Sequence, residues 1–124
     1  MTAAYLWFNA LLYAVFAAWC TVRPAETARA LGYAALDRGG QSEYLVVYGG
    51  LQLGLGIAFA MFAANPGSHR TGLLFSLALY GGIVLFRAVT LWIYAPVPAL
   101  TWVVAALELA LLVAAGALWL TRQP

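Results

Sequence analysis

Four apolar stretches, each about as long as one membrane span, occupy most of this chain and limit the folds open to it. They cover about residues 5–22, 43–64, 71–94 and 99–120. A helix needs roughly 20 mostly apolar residues to cross the hydrocarbon core of a bilayer. Of the 124 residues, 65% are hydrophobic and 8% are charged, whereas a soluble domain is about half apolar and about a quarter charged. We therefore predict an all-α, integral membrane four-helix bundle that forms one domain over residues 1–124.

The connection between the first two spans has its own helical pattern. Arg23-Pro24 ends the first stretch. A signal peptide has a positive charge before its apolar region, and this stretch has none, so we expect it to be a retained span. From Pro24 to Asp37, one helical stripe contains Ala28, Leu31, Ala35 and Leu36. This segment is too short to span, so we predict a short amphipathic helix at the interface, with an ordered polar loop as the alternative. Ser42 is the predicted N-cap of the second span.

Several classes of site are excluded by residue counts. All six basic residues are arginine, so no lysine is present to form a Schiff base. With one cysteine and one histidine, the chain cannot build an internal disulfide, a Cys/His zinc site or a bis-histidine haem site. We expect His69 to be solvated in a short turn. The net charge of +2 is too small for a nucleic-acid surface, and we predict no metal and no cofactor.

Small residues predict where helices pack. Helices in lipid associate through close backbone approach and polar contacts. Gly50 and Gly54 form a GxxxG pair in the second span, which favours tight packing within the chain or across a homodimer. Asn9 is expected to make an interhelical hydrogen bond.

The loop arginines do not determine the orientation in the membrane. Arg23, Arg29 and Arg38 lie between the first and second spans, together with two acidic residues. Arg70 and Arg122 lie on the opposite side. The positive-inside rule compares such counts, and three arginines against two leave the orientation open.

Arg87 and Glu108 are the most informative residues because ionisable groups inside a membrane usually face the bundle interior and mark functional sites. Counting from the turn between the third and fourth spans, Arg87 lies roughly 12 Å deep and Glu108 roughly 15 Å deep. Consecutive antiparallel helices joined by a short turn are expected to be neighbours. We therefore predict that Arg87 reaches the Glu108 carboxylate.

Other polar residues fall near the same depth. Gln52 lies roughly 13 Å from the same side of the membrane, and a spacing of four places Tyr44, Tyr48 and Gln52 on one face. On the third span, Tyr80, Arg87, Thr90 and Tyr94 also share a face. The predicted ligand-binding residues are Arg87, Glu108, Gln52, Tyr48, Glu43, Tyr80, Thr90 and Tyr94.

This polar layer has three interpretations. The ion pair, with Gln52 as a third member, can serve only to lock one packing of the helices. It can instead line a binding or catalytic pocket, or form part of a proton or ion pathway.

The run from Tyr48 to Gly56, with Glu43 before it and Arg87 and Glu108 after it, resembles a family of small bacterial four-helix membrane proteins catalogued as a domain of unknown function. The layout is also similar to that of DoxX-like proteins, some of which accompany quinone-linked oxidoreductases. The first resemblance implies a bacterial inner (cytoplasmic) membrane and supplies no catalytic residue. The second suggests an accessory subunit of a larger membrane complex.

Our leading hypothesis is a small membrane protein that binds a lipid-like, quinone-like or isoprenoid-like molecule, or acts as an accessory subunit. Arg87 would bind the polar head of the ligand, Glu108 would hold Arg87, and Gln52 and Tyr48 would donate hydrogen bonds. One alternative is an enzyme acting on a lipidic substrate, with Glu108 as the candidate catalytic acid/base. Another is a small proton-coupled exporter that works as a dimer. The expected partners are the bilayer, an apolar small molecule, and a second copy or a larger complex.

Overall fold

The computed structural model describes residues 1–121, and this part of the chain is helical with no strand. Its α-helices are α1 (Thr2–Val22), α2 (Pro24–Ala30), α3 (Arg38–Tyr44), α4 (Gln52–Ala64), α5 (His69–Tyr94) and α6 (Ala99–Leu120). A π-helical segment, Leu45–Leu51, joins α3 to α4, and a 3-10 turn, Pro66–Ser68, precedes α5. Four continuous helical stretches are long and apolar enough to cross a membrane: Thr2–Val22, Arg38–Ala64, Pro66–Tyr94 and Ala99–Leu120. The all-α prediction is confirmed.

The connection after α1 contains the predicted short helix, but α2 ends at Ala30 and does not continue to Asp37. Gly32 adopts a left-handed conformation with φ of +89°, which glycine tolerates without strain. The N–H groups of Gly32 and Tyr33 donate to the carbonyls of Arg29 and Ala28. This is a Schellman motif, and it stops the helix and turns the chain toward α3.

The second span begins earlier than the sequence predicted, and the assignment of Ser42 as its N-cap is wrong. Asp37 is the N-cap, and its Oδ1 atom accepts a hydrogen bond of 2.7 Å from the Gly40 N–H. An aspartate at this position satisfies one of the free N–H groups of the first turn.

Helix α1 packs chiefly against α4, and α5 packs chiefly against α6. At Gly56 a Cβ atom would lie 3.2 Å from the Ala10 carbonyl oxygen and 3.3 Å from the Ala14 nitrogen. These distances to backbone atoms are shorter than ordinary van der Waals contact, so glycine favours this close approach of the two helices. By contrast, a Cβ atom at Gly50 or Gly54 would meet nothing within 4 Å. The GxxxG pair therefore does not mediate helix packing within the described residues.

The tightly packed core lies in the half of the bundle nearer the N-terminus, where Leu6, Phe59, Leu73, Tyr80 and Ala115 are fully buried. Each of the four long apolar helices, α1, α4, α5 and α6, contributes residues to this core. The other half contains fewer buried residues, and this asymmetry decides what surrounds the ionisable groups.

Hydrogen bonds join three helices within this core. The Tyr80 hydroxyl donates to Asn9 Oδ1, and Asn9 Nδ2 donates to the Tyr5 carbonyl at 2.8 Å. The Tyr5 hydroxyl donates to the Leu111 carbonyl at 3.0 Å. The interhelical bond predicted for Asn9 is thus present. His69 was expected to be solvated, but it is buried, with its Nε2 atom 3.2 Å from the Ala63 carbonyl oxygen.

Candidate functional site

The predicted pair between Arg87 and Glu108 is present as a two-bond ion pair between α5 and α6. Arg87 Nε donates to Glu108 Oε2 at 2.8 Å, and Arg87 Nη2 donates to Glu108 Oε1 at 2.7 Å. The side chains are 31% and 14% exposed. Such fork-to-carboxylate geometry is stronger and more directional than a single charged contact. It fixes the guanidinium plane relative to α6.

Gln52, Arg87 and Glu108 all belong to the interior faces of their helices. Seven residues make nearly two helical turns, so residues seven apart share a face. Each of the three lies seven residues from a buried core residue on its own helix: Gln52 from Phe59, Arg87 from Tyr80, and Glu108 from Ala115. The helix register therefore places one polar layer directly beside the packed core, on the side toward the α1–α3 connection.

The interior face is partly open at this layer. Residues 81–110, which include the last part of α5 and the first part of α6, contain no buried residue. These parts of the two helices are therefore covered little by α1 and α4. The Arg87–Glu108 pair lies in this open part of the α5–α6 face.

Two polar groups of the layer are left without internal partners. Within residues 1–121, Arg87 Nη1 and the Gln52 side-chain amide form no hydrogen bond, although all the buried side-chain nitrogens and oxygens of these residues have partners. The unpaired atoms are consequently accessible. In the hydrocarbon region such groups cost several kcal/mol unless another molecule pairs with them.

The remaining predicted ligand-binding residues are distributed around this layer. Thr90 lies beside the pair and donates to the Arg87 carbonyl at 3.1 Å. Tyr80 is buried in the core, whereas Tyr94 is exposed at the end of α5. Tyr48 and Glu43 line a separate groove. Hydrogen bonds therefore join Arg87, Glu108 and Thr90, and within residues 1–121 none links the other predicted residues to that pair.

The groove lies where the α2–α3 connection meets the π-helical segment, and its volume is about 290 Å³. Its walls include three tyrosines, Tyr33, Tyr44 and Tyr48. Tyr33 was not identified from the sequence. The position of Tyr33 depends on the turn at Gly32. A glycine that ends a helix and is followed by an aromatic residue was the sequence signal that could have pointed to Tyr33.

No arrangement for a metal is found among residues 1–121, since no group of three or more His, Cys, Asp or Glu side chains comes together there. Cys20 is buried beside Tyr44, whose hydroxyl lies 3.6 Å from the sulfur. Arg122, which entered the comparison of loop arginines, lies outside the described residues.

Four helices that are long and apolar enough to cross a membrane indicate a multi-pass membrane protein, and the Arg87–Glu108 ion pair joins two of them. A family model described as "Domain of unknown function (DUF4345)" matches residues 1–120, and the chain belongs to this family. The resemblance to a family of unknown function is thereby confirmed, while the similarity of layout to DoxX-like proteins stays a prediction. No curated protein and no solved structure shows significant similarity to the chain.

Proposed function

We propose that the protein binds the polar head of a lipid-like, quinone-like or isoprenoid-like molecule at the layer of Arg87, Glu108 and Gln52. The observation that supports this function is the unpaired Arg87 Nη1 atom and the unpaired Gln52 amide in the middle part of apolar spans. An oxygen of a bound head group would supply the missing acceptor and remove the cost of leaving these groups in hydrocarbon.

Each residue of the layer has a distinct role in this proposal. Arg87 donates through its free edge to an anionic or carbonyl oxygen of the head group. Glu108 is a positioning residue, because its two hydrogen bonds fix the plane of the guanidinium. Gln52 offers a donor and an acceptor from the neighbouring helix pair. The partly open face along residues 81–110 leaves room for the apolar tail.

The geometry gives less support to the catalytic and transport alternatives. Both Glu108 oxygens already accept hydrogen bonds from Arg87. General acid/base catalysis or proton transport through Glu108 would therefore have to break this pair in every cycle. A binding role uses the pair as it stands.

The location and the assembly belong to the same proposal. A bacterial inner membrane is the location implied by the resemblance to small bacterial membrane proteins. A second copy or a larger complex would cover the outward-facing Gly50 and Gly54, where an added Cβ atom would meet nothing within 4 Å among residues 1–121. Cross-linking of Leu51→Cys, next to this surface, in native membranes would yield a dimer if a second copy packs there, and no cross-linked dimer would exclude that arrangement.

Native mass spectrometry of protein extracted gently from its own membrane tests the binding site. The informative variant is the double substitution Arg87→Leu with Glu108→Leu, because it removes both charges and leaves no unpaired ion. The control is the double substitution Arg23→Leu with Glu26→Leu at an exposed ion pair outside the spans. We expect an additional mass on the wild type and on the control, and its loss from the Arg87/Glu108 variant. A bare wild-type protein, or an Arg87/Glu108 variant that keeps every additional mass found on the wild type, would refute binding at this layer.

A further inference from the structure

The groove beside the π-helical segment is a second candidate site, separate from the Arg87 layer. Besides its three tyrosines, it is lined by Leu36, Glu43 and Val47. Neither Arg87 nor Glu108 lines it. π-helical segments inside α-helices occur frequently at functional sites, and this one presents Tyr48 and Val47 directly to the groove.

The three tyrosine rings form an angular aromatic wall. Tyr44 and Tyr48 are stacked, with ring centres 4.6 Å apart and an interplanar angle of 24°. Tyr33 stands nearly perpendicular to both, at angles of 79° and 74° and centre distances of 5.9 and 6.0 Å. Tyr33 is 42% exposed and Tyr48 is partly exposed, whereas Tyr44 is buried. Tyr33 and Tyr48 therefore present π surface in two orientations at one groove, and the stacked Tyr44 supports the Tyr48 ring.

The hydroxyl groups of these rings are occupied by one another and by α2. The Tyr33 and Tyr48 hydroxyls are hydrogen-bonded at 2.7 Å. The Tyr44 hydroxyl donates to Thr27 Oγ1 at 2.8 Å. What remains available to a ligand is mainly the aromatic surface, whose negative electrostatic face attracts cations.

Charge at the groove also favours a cation. Glu43 is the charged residue of the lining, and it is exposed. Within residues 1–121 it forms no salt bridge, since the ion pairs of this part of the chain are Arg23–Glu26 and Arg87–Glu108. No arginine of these residues therefore forms an ion pair with the Glu43 carboxylate.

We infer that this groove binds the quaternary ammonium head of an amphiphile. A quaternary ammonium has no N–H group and needs no hydrogen-bond acceptors, whereas a primary ammonium has three donors to satisfy. Stacked and perpendicular aromatic rings with a nearby carboxylate match the first chemistry. Leu36 and the partly exposed Val47 give the groove an apolar margin, along which the chain of a lipid can leave toward the bilayer.

Isothermal titration in maltoside micelles tests this inference with two matched probes. One is an alkyltrimethylammonium amphiphile at low mole fraction, and the other is a neutral amphiphile of the same chain length that ends in a tert-butyl group. We expect the charged probe to bind more tightly. Tyr33→Leu should weaken its binding about three- to thirty-fold, the range that follows from one cation–π contact. Tyr33→Phe should keep most of the affinity, and Glu43→Gln should reduce it.

Controls separate this site from general effects and from the Arg87 layer. Tyr94→Leu and Glu26→Gln alter an exposed tyrosine and an exposed acid away from the groove, and neither should change the affinity. The double substitution of Arg87 and Glu108 by leucine should also preserve binding. Equal affinity for the neutral probe, an unchanged affinity in a folded Tyr33→Leu variant, or loss of binding in the Arg87/Glu108 variant would each overturn the assignment. If free choline binds as tightly as the amphiphile, the apolar chain contributes nothing to binding, and the conclusion that the natural ligand is a lipid would be overturned.

Discussion

Replacing Arg87 by leucine leaves the Glu108 carboxylate without a partner, and the geometry of the pair sets the size of the effect. Removing one member of a fully buried ion pair costs about 3–5 kcal/mol, whereas an exposed pair is worth about 0–1 kcal/mol. The Arg87 and Glu108 side chains are 31% and 14% exposed and share two short hydrogen bonds. We therefore expect Arg87→Leu to lower the free energy of unfolding by about 2–4 kcal/mol. The double substitution with Glu108→Leu should stay within about 1 kcal/mol of the wild type.

The measurement is a double-mutant cycle, with reversible unfolding in mixed micelles of maltoside and dodecyl sulfate followed by far-ultraviolet circular dichroism. Either single substitution leaves one charge unpaired and the double substitution leaves none, so the coupling energy between Arg87 and Glu108 is expected to be at least about 3 kcal/mol. Arg23 and Glu26 provide the control, because they are also an arginine–glutamate pair, at 3.1 Å, but are 64% and 54% exposed. Their coupling energy should remain below about 1 kcal/mol. If the two pairs show equal coupling energies, the partial burial of the Arg87–Glu108 pair does not strengthen its ion pairing, and the reasoning is refuted.

Three further substitutions test the packing and the helix ends, each by the same unfolding assay unless stated. Gly56→Leu should destabilise the protein by about 1–3 kcal/mol because the side chain would meet the backbone of α1, whereas Gly54→Leu should not; equal effects would contradict this. Tyr80→Phe should cost about 1–3 kcal/mol because Asn9 loses a buried donor, and a change as small as that of the exposed Tyr94→Phe would show the bond to be unimportant. Asp37→Ala should cost about 1 kcal/mol and speed amide exchange at the start of α3; unchanged exchange would argue against the cap.

The ion pair was predictable because it depends on properties that the chain order itself determines. Two apolar helices joined by a short turn are expected to be antiparallel neighbours, so residues equally far from the turn meet at the same depth. This reasoning placed Arg87 opposite Glu108, and the structure shows the two in contact. The same counting placed Gln52 at that depth, and its seven-residue spacing from the buried Phe59 assigns it to the interior face.

The groove was not predictable in the same way, because it depends on local departures from regular helix geometry. A π-helical segment lies between α3 and α4 where a regular α-helix was expected. The left-handed Gly32 turns the chain so that Tyr33 reaches Tyr48 from fifteen residues away. Neither feature has a periodic signature in the sequence.

The sequence by itself determined the class of protein, because hydrophobic length and the scarcity of charge leave four membrane-spanning helices as the fold that suits it. It also indicated which charges must find partners, since an ionisable group in hydrocarbon is costly wherever the helix places it. Only the tertiary structure decided which small residues pack, selecting Gly56 over Gly50 and Gly54 through the rotation of α4 against α1. It likewise decided that residues 81–110 stay partly open, because the relative placement of helix pairs depends on side-chain fit across the whole bundle and not on the pattern of any one helix.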